Sequence, residues 1–169
     1  MSPPFSIRRF HRDDQLAVER LVLTIQRDEF GLALSAENQP DLHDVAAFFS
    51  HPSSAFWVAE SGQSQNIIGC IGLEALAGNV AAMRKFMVHP DWRGKATGVA
   101  ASLNATFEVH AQKNKMTQIV LSTVDVTKAA QRFYQNIGYT SVLIDQLPNA
   151  FVPGVADTLF YVKAVSKQT

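Results

Sequence analysis

The stretch from Lys85 to Ala100 constrains the fold of this chain more than any other. It opens with the apolar run Phe86–Val88, which Pro90 stops, and from Gly98 onward apolar residues recur at helical spacing. This pattern predicts the end of a strand, a short basic turn and the start of a helix.

The predicted turn has the composition of an anion site. The first amides of a helix have no partner within it, and the helix dipole adds partial positive charge there. Gly94 and Gly98 let a bulky group approach the main chain, and Arg93 and Lys95 add positive charge. A diphosphate fits these features, although neither G-x-x-x-x-G-K-[ST] nor G-x-G-x-x-G is present.

Residues 93–98, Arg-Gly-Lys-Ala-Thr-Gly, resemble motif A of the GNAT superfamily of acyl-CoA-dependent N-acyltransferases, written [QR]-x-x-G-x-[GA]. The preceding Val-x-Pro-x-x-Arg-Gly lead-in is also present at 88–94. Ala96 departs from the motif's first Gly, and it would narrow the phosphate site if that position needs a positive φ. The alternative is an ordinary basic turn.

A second segment, residues 129–139, resembles GNAT motif B, A-x-x-[LF]-Y-x-x-x-G-[FY]. The resemblance implies that Tyr134 lies beside the cofactor sulfur and protonates the departing thiolate. The alternative is a core aromatic residue. Thr127 stands where many relatives carry Asn, so a side-chain contact to the cofactor is in question.

The resemblance implies acetyl-CoA as co-substrate, bound by Phe86, Met87, Val88, Arg93, Gly94, Lys95, Ala96, Thr97, Gly98 and Tyr134. The strand end would pair with the pantetheine arm, and backbone amides of the turn would hold the pyrophosphate. An amide near Met87 or Val88 would donate to the thioester oxygen.

The pattern along the chain predicts a mixed α/β (α+β) fold. Strands are expected over 5–10, 55–60, 66–76, 80–88, 118–124, 141–145 and 158–165, and helices over about 13–30, 41–49 and 128–137, with a further helix that begins at Gly98 and continues through Ala111. Short turns favour an antiparallel meander for the second to fourth strands, and the helical crossover after Val88 predicts a parallel pair. With the resemblance, this gives a mostly antiparallel sheet of about seven strands, a central parallel pair and about four helices.

Composition bounds the remaining classes. A chain of 169 residues suits one domain, 1–169, and 15 basic against 15 acidic residues argue against a nucleic-acid partner. No apolar run is long enough to span a membrane, and 1–5 lack a leader pattern, so we expect no membrane partner and a cytoplasmic location. The single cysteine, Cys70, is expected in the core. The five histidines lack ligand spacing, so no metal site is predicted.

Candidates for the acceptor site are less specific. The stretch 28–44 contains five acidic residues and no Lys or Arg: Asp28, Glu29, Glu37, Asp41 and Asp44. These residues either form a pocket for a cationic amine or lie at solvated helix ends. Three residues are candidates for the general base: Glu29, Glu60 and Glu74. The alternative is that water alone takes up the proton. The loop from Asp28 to Pro40 is expected to shape the acceptor site, and Phe151 and Val152 either line it or pack within their own loop.

These features predict an N-acetyltransferase that moves an acetyl group from acetyl-CoA to a primary amine of a small-molecule or amino-acid-like acceptor, by direct attack in a ternary complex. The alternatives are a non-catalytic acyl-CoA-binding scaffold or sensor, a peptide or protein N-acetyltransferase, and an interaction module without cofactor. A homodimer is left open.

Overall fold

The computed structural model describes residues 4–167. Its seven strands are β1 (Phe5–Arg9), β2 (Ala55–Ser61), β3 (Ile67–Leu76), β4 (Val80–Val88), β5 (Gln118–Thr123), β6 (Thr140–Val142) and β7 (Leu159–Ala164). They form one sheet in the order β1-β2-β3-β4-β5-β7-β6. All neighbouring strands are antiparallel except β4 and β5, so the predicted mixed sheet with a central parallel pair is confirmed.

Five α-helices lie within residues 4–167: α1 (Gln15–Thr24), α2 (Pro40–His43), α3 (Val45–Phe48), α4 (Val99–Lys113) and α5 (Lys128–Asn136). A π-helical turn, Ile25–Glu29, extends α1 to the end predicted for it. The single helix expected over 41–49 is wrong, because Asp44 takes φ −142° and ψ 90° and divides it. Asp44 is the N-cap of α3, where it accepts a hydrogen bond from the Ala47 amide at 3.0 Å.

Alternation along β2 separates two hydrophobic layers. Phe56 and Val58 lie in the layer formed with α1, α2 and α3, whereas Trp57 and Ala59 lie in the layer formed with α4 and α5. Cys70 is fully buried in the first layer, as predicted, and burial raises the pKa of its thiol to about 12. It is therefore a core residue.

A β-bulge in β4 sets the direction of the strand. Cys70 pairs with Met87 and Gly72 with Arg84, so β4 carries one residue more than β3 across this interval. Lys85 lies within it at φ +48°, an unfavourable conformation for a lysine. Its Nζ donates to both carboxylate oxygens of Asp41, at 2.9 and 2.8 Å, and both side chains are 11% exposed. A largely buried ion pair thus ties the bulge to α2.

The parallel pair is short. β4 and β5 are paired only over Val80–Ala82 and Gln118–Val120. Beyond Ala82, β4 has β3 on one side and, among residues 4–167, no strand on the other. A gap therefore opens in the middle of the sheet, beside the carboxyl ends of both strands.

Within the described part of the chain, no helix has the length and apolar character needed to cross a bilayer. Residues 1–3, on which the expected lack of a leader partly rests, lie outside it, as do 168 and 169. The single domain over 1–169 stays a prediction.

We expect Asp41→Ala to lower the free energy of unfolding by about 3 kcal/mol, because it leaves the Lys85 ammonium largely buried without its partner. Urea denaturation measures this loss. Asp13→Ala, at a carboxylate 91% exposed, is the matched control and should change the value by less than about 0.5 kcal/mol. Equal effects of the two variants would contradict the role assigned to the pair.

Candidate active site

Two cavities meet at the free edge of β4. The turn groove, of about 460 Å³, lies between that edge, the turn before α4 and the start of α5. The inner cavity, of about 360 Å³, lies deeper between β4, β5 and two loops. Both cavities are lined by Phe30, Phe86, Met87, Thr127 and Ala130. The two cavities therefore adjoin at these residues, and together they are called the cleft.

The turn before α4 presents unused backbone donors to the groove. The amides of residues 94–97 donate to no other group within the described residues. Gly94 and Gly98 have φ +97° and +73°, and a Cβ at either would have no described atom within 4 Å. Ala96 is not among the residues with positive φ, so the departure from motif A imposes no backbone strain.

Arg93 joins the turn to the end of α1. Its Nε donates to the Val88 carbonyl at 2.8 Å, and its Nη1 and Nη2 donate to the two carboxylate oxygens of Glu29. Arg93 and Glu29 both line the turn groove, together with Lys95. The charge of Glu29 is thereby used to orient Arg93.

Thr127 occupies the position at which many proteins with this motif carry Asn. Its hydroxyl donates to the Val124 carbonyl at 2.6 Å and lies 2.9 Å from the Thr123 hydroxyl. The residue is buried, and it lines both cavities. Its hydrogen-bonding capacity is directed at its own loop.

Tyr134 lies on α5 and lines the inner cavity. It is 5% exposed, and its ring packs within an aromatic cluster that includes Phe86, Tyr139 and Tyr161. Its hydroxyl forms no hydrogen bond with another described residue. Burial raises the pKa of Tyr134 well above its ordinary value, and the negative charge of Asp157 adds to this. Tyr134 is therefore protonated at neutral pH, and its hydroxyl is available as a hydrogen-bond donor.

Two cations line the inner cavity, and each has a carboxylate partner. Lys85 pairs with Asp41, as described above. Arg84 is 9% exposed and pairs with Glu74 at 2.7 Å. Its Nη1 donates to the Val152 carbonyl at 2.7 Å, and its guanidinium stacks over the ring of Phe151, 4.7 Å from the centroid. Arg84 thus fixes the loop that covers the cavity.

The predicted acidic residues are dispersed. Of the five between 28 and 44, only Asp41 lines the inner cavity, whereas Glu37 is exposed and Asp44 caps a helix. Glu60 bonds Arg8 of the neighbouring strand β1, and neither Glu60 nor Glu74 lines either cavity. No group of three or more His, Cys, Asp or Glu suited to a metal occurs among residues 4–167.

No sequence pattern singles out Asp157, a carboxylate of the inner cavity. It follows the Pro153–Gly154 segment of a long loop, and its Oδ2 accepts hydrogen bonds from Ser122 Oγ at 2.6 Å and from the Gly154 amide at 3.2 Å. These partners are 35 and 3 residues away in the chain. Only the folded loop brings the three together.

The cleft suits acetyl-CoA on three counts. Unused amides and open space at Gly94 and Gly98 fit a pyrophosphate. The free edge of β4 offers backbone groups to the amides of a pantetheine arm, much as to an added strand. Tyr134 lies beyond that edge, in the adjoining cavity.

Comparison with known proteins agrees with this geometry. The family model described as an acetyltransferase (GNAT) domain matches residues 52–141. A crystal structure of a GNAT-family acetyltransferase from Staphylococcus aureus Mu50 superposes with a TM-score of 0.90 at 27% identity, covering 96% of this chain and 99% of that one.

Two curated relatives come from Xenopus tropicalis. The chain is 34% identical to probable N-acetyltransferase 14 over 119 residues, which is 70% of this chain and 57% of that protein. It is 31% identical to N-acetylaspartate synthetase over 121 residues, 70% of this chain and 42% of that protein. The chain thus spans about half the length of the curated relatives it matches.

The family match extends over more than half of the chain, and the sheet, the turn before α4 and the cleft agree with it. The chain belongs to the GNAT family of acetyltransferases, which use acetyl-CoA as acetyl donor.

Proposed function

We propose that this chain is an N-acetyltransferase that moves the acetyl group of acetyl-CoA to the primary amine of a small-molecule or amino-acid-like acceptor. The shared lining of the two cavities carries the proposal, because a donor bound in the turn groove and an acceptor in the inner cavity would meet at Phe86 and Met87. Holding two reactants in contact contributes much of the catalysis of a bimolecular transfer.

In this proposal the turn groove binds the donor. The amides and side chains of residues 93–98 would hold the pyrophosphate, and Phe86, Met87 and Val88 would contact the pantetheine arm along the free edge of β4. The thioester supplies an activated acetyl carbon. An amide at Met87 or Val88 would donate to its oxygen, on which negative charge grows during attack.

Tyr134 acts as the acid. When the amine nitrogen bonds to the acetyl carbon and the carbon–sulfur bond breaks, the electron pair stays on sulfur, and Tyr134 gives it a proton. Tyr134 then regains the proton that nitrogen loses on forming the amide. An acceptor that arrives as an ammonium ion releases one further proton to solvent, which balances the reaction.

The size of the inner cavity supports a small acceptor. A cavity of about 360 Å³ is at the lower end of the range for small-molecule sites. The loop before β7 covers it, anchored by Arg84 to the Val152 carbonyl. The relative named N-acetylaspartate synthetase is consistent with an amino-acid-like acceptor. A homodimer and a cytoplasmic location stay predictions.

Donor binding is tested by thermal unfolding. Coenzyme A or acetyl-CoA at 100 times its dissociation constant should raise the melting temperature by about 5 to 10 °C, because it stabilises the folded state by about 2.7 kcal/mol. ATP, which lacks the pantetheine arm, is the control and should shift it much less. No shift with millimolar acetyl-CoA would contradict the assigned groove.

The turn is tested by two opposite substitutions, with coenzyme A binding measured by calorimetry. Gly98→Ala should weaken binding about 10-fold, because an Ala at φ +73° costs roughly 1–2 kcal/mol and turns the neighbouring amides away. Ala96→Gly should change it by less than about 2-fold, since Ala96 already has an ordinary φ. Equal effects of the two would mean that the amides do not hold the phosphates.

Tyr134→Phe should lower kcat about 100-fold and leave the dissociation constant of coenzyme A nearly unchanged, because only the proton donor is lost. Tyr139→Phe is a matched control, because Tyr139 is also a buried tyrosine, its hydroxyl lacks a partner among the described residues, and it lines neither cavity. Steady-state kinetics on an amine panel measures both. A wild-type protein that binds the donor and acetylates none of the amines would favour the non-catalytic scaffold.

A further inference from the structure

The charges of the inner cavity do not cancel. Arg84 and Lys85 are matched by Glu74 and Asp41, which lie within 2.9 Å of them. Asp157 also lines the cavity, and it forms no ion pair with any described residue. One negative charge is therefore left over beside the cleft.

Hydrogen bonds from neutral groups hold the Asp157 carboxylate in place, and only one of its two oxygens accepts them. Ser122 Oγ and the Gly154 amide both donate to Oδ2. Its Oδ1 accepts no hydrogen bond from another group within residues 4–167, so it can accept one from a ligand. Orientation by neutral groups leaves the full charge of the carboxylate available.

The position of Gly154 has little room for a side chain, because the Asp157 carboxylate packs against it. A Cβ on Gly154 would lie 2.5 Å from Asp157 Oδ2 and 3.0 Å from its Cγ. The φ of Gly154 is not in the left-handed region, so an alanine there is strained only by this contact. The loop is thus shaped around the carboxylate.

The position of Asp157 relative to Tyr134 is suitable for an acceptor nitrogen. Both side chains line the inner cavity, and the charge of Asp157 adds to the burial that raises the pKa of Tyr134. A group bound at Oδ1 would therefore share the inner cavity with the proposed proton donor.

We propose that Asp157 binds the ammonium group of the acceptor, and that the acceptors of this chain are primary alkylammonium compounds. This rests on the proposed function. Asp157 is a substrate-binding residue, and the proton that the ammonium loses before attack leaves to solvent. A hydrogen-bonded pair of opposite charges favours the charged amine over a neutral molecule of the same shape.

The test compares Asp157→Asn and Gly154→Ala with the wild type, using acetyl-CoA and a panel of a monoamine, a diamine and an α-amino acid. Hydroxylamine, uncharged at mildly alkaline pH, is the neutral nucleophile. Asp157→Asn should raise the KM of the ammonium acceptors about 10- to 100-fold and that of hydroxylamine less than about 2-fold. Gly154→Ala retains the charge but displaces it, so it should change KM in the same direction.

Asp145→Asn is the matched control, since this carboxylate is exposed and lines neither cavity, and its kinetics should equal those of the wild type. The melting temperature with and without coenzyme A verifies folding of each variant. If Asp157→Asn does not fold, the KM values measured for Gly154→Ala test the proposal by themselves.

An active wild type whose KM for the ammonium acceptors changes less than about 2-fold in both variants overturns this proposal and leaves the proposed function intact. A loss confined to kcat also overturns it. A wild type that binds coenzyme A and acetylates no amine overturns both.

Discussion

The early separation of β4 from β5 is the constraint on which the cleft depends. A parallel pair that continued to Val88 would satisfy the backbone groups of β4 and fill the space that both cavities use. The pairing stops after three residues, and a few positions later Lys85 bends the strand at a bulge. The ion pair with Asp41, which lines the inner cavity, stabilises that bulge and so helps to keep the sheet open.

The two halves of the cleft follow from different properties of the chain. At the turn before α4, binding capacity comes from the backbone: unused amides, two glycines with positive φ and a helix dipole. In the inner cavity it comes from side chains, with Tyr134 kept protonated by burial and cations neutralised by carboxylates. Arg93 spans the first region through the Val88 carbonyl and Glu29, which fixes the turn relative to the end of α1.

Elements that depend on local pattern were predictable from the sequence. The strand-turn-helix around Arg93 and the helix carrying Tyr134 lie where the apolar spacing and the motifs indicated. The break at Asp44 was missed, because an apolar face at helical spacing runs through it and the interruption is set by a capping side chain. Asp157 was missed for another reason: its role depends on Ser122, which is distant in the chain, and a loop without periodicity gives no signal. Glu60 and Glu74 were candidates for the general base because sequence spacing does not reveal that each of them pairs with an arginine, Arg8 and Arg84 respectively.

The division of the cleft has an evolutionary consequence. Residues that line the turn groove come mostly from two short segments around α4 and α5, whereas the outer walls of the inner cavity come from the loops at 30–41 and 152–157. Those loops lie outside the βαβ unit, which consists of β4, α4 and β5. Loops accept substitution and length change more readily than packed elements. Descendants of such a chain can therefore acquire a new acceptor by altering either loop while the donor site is inherited unchanged.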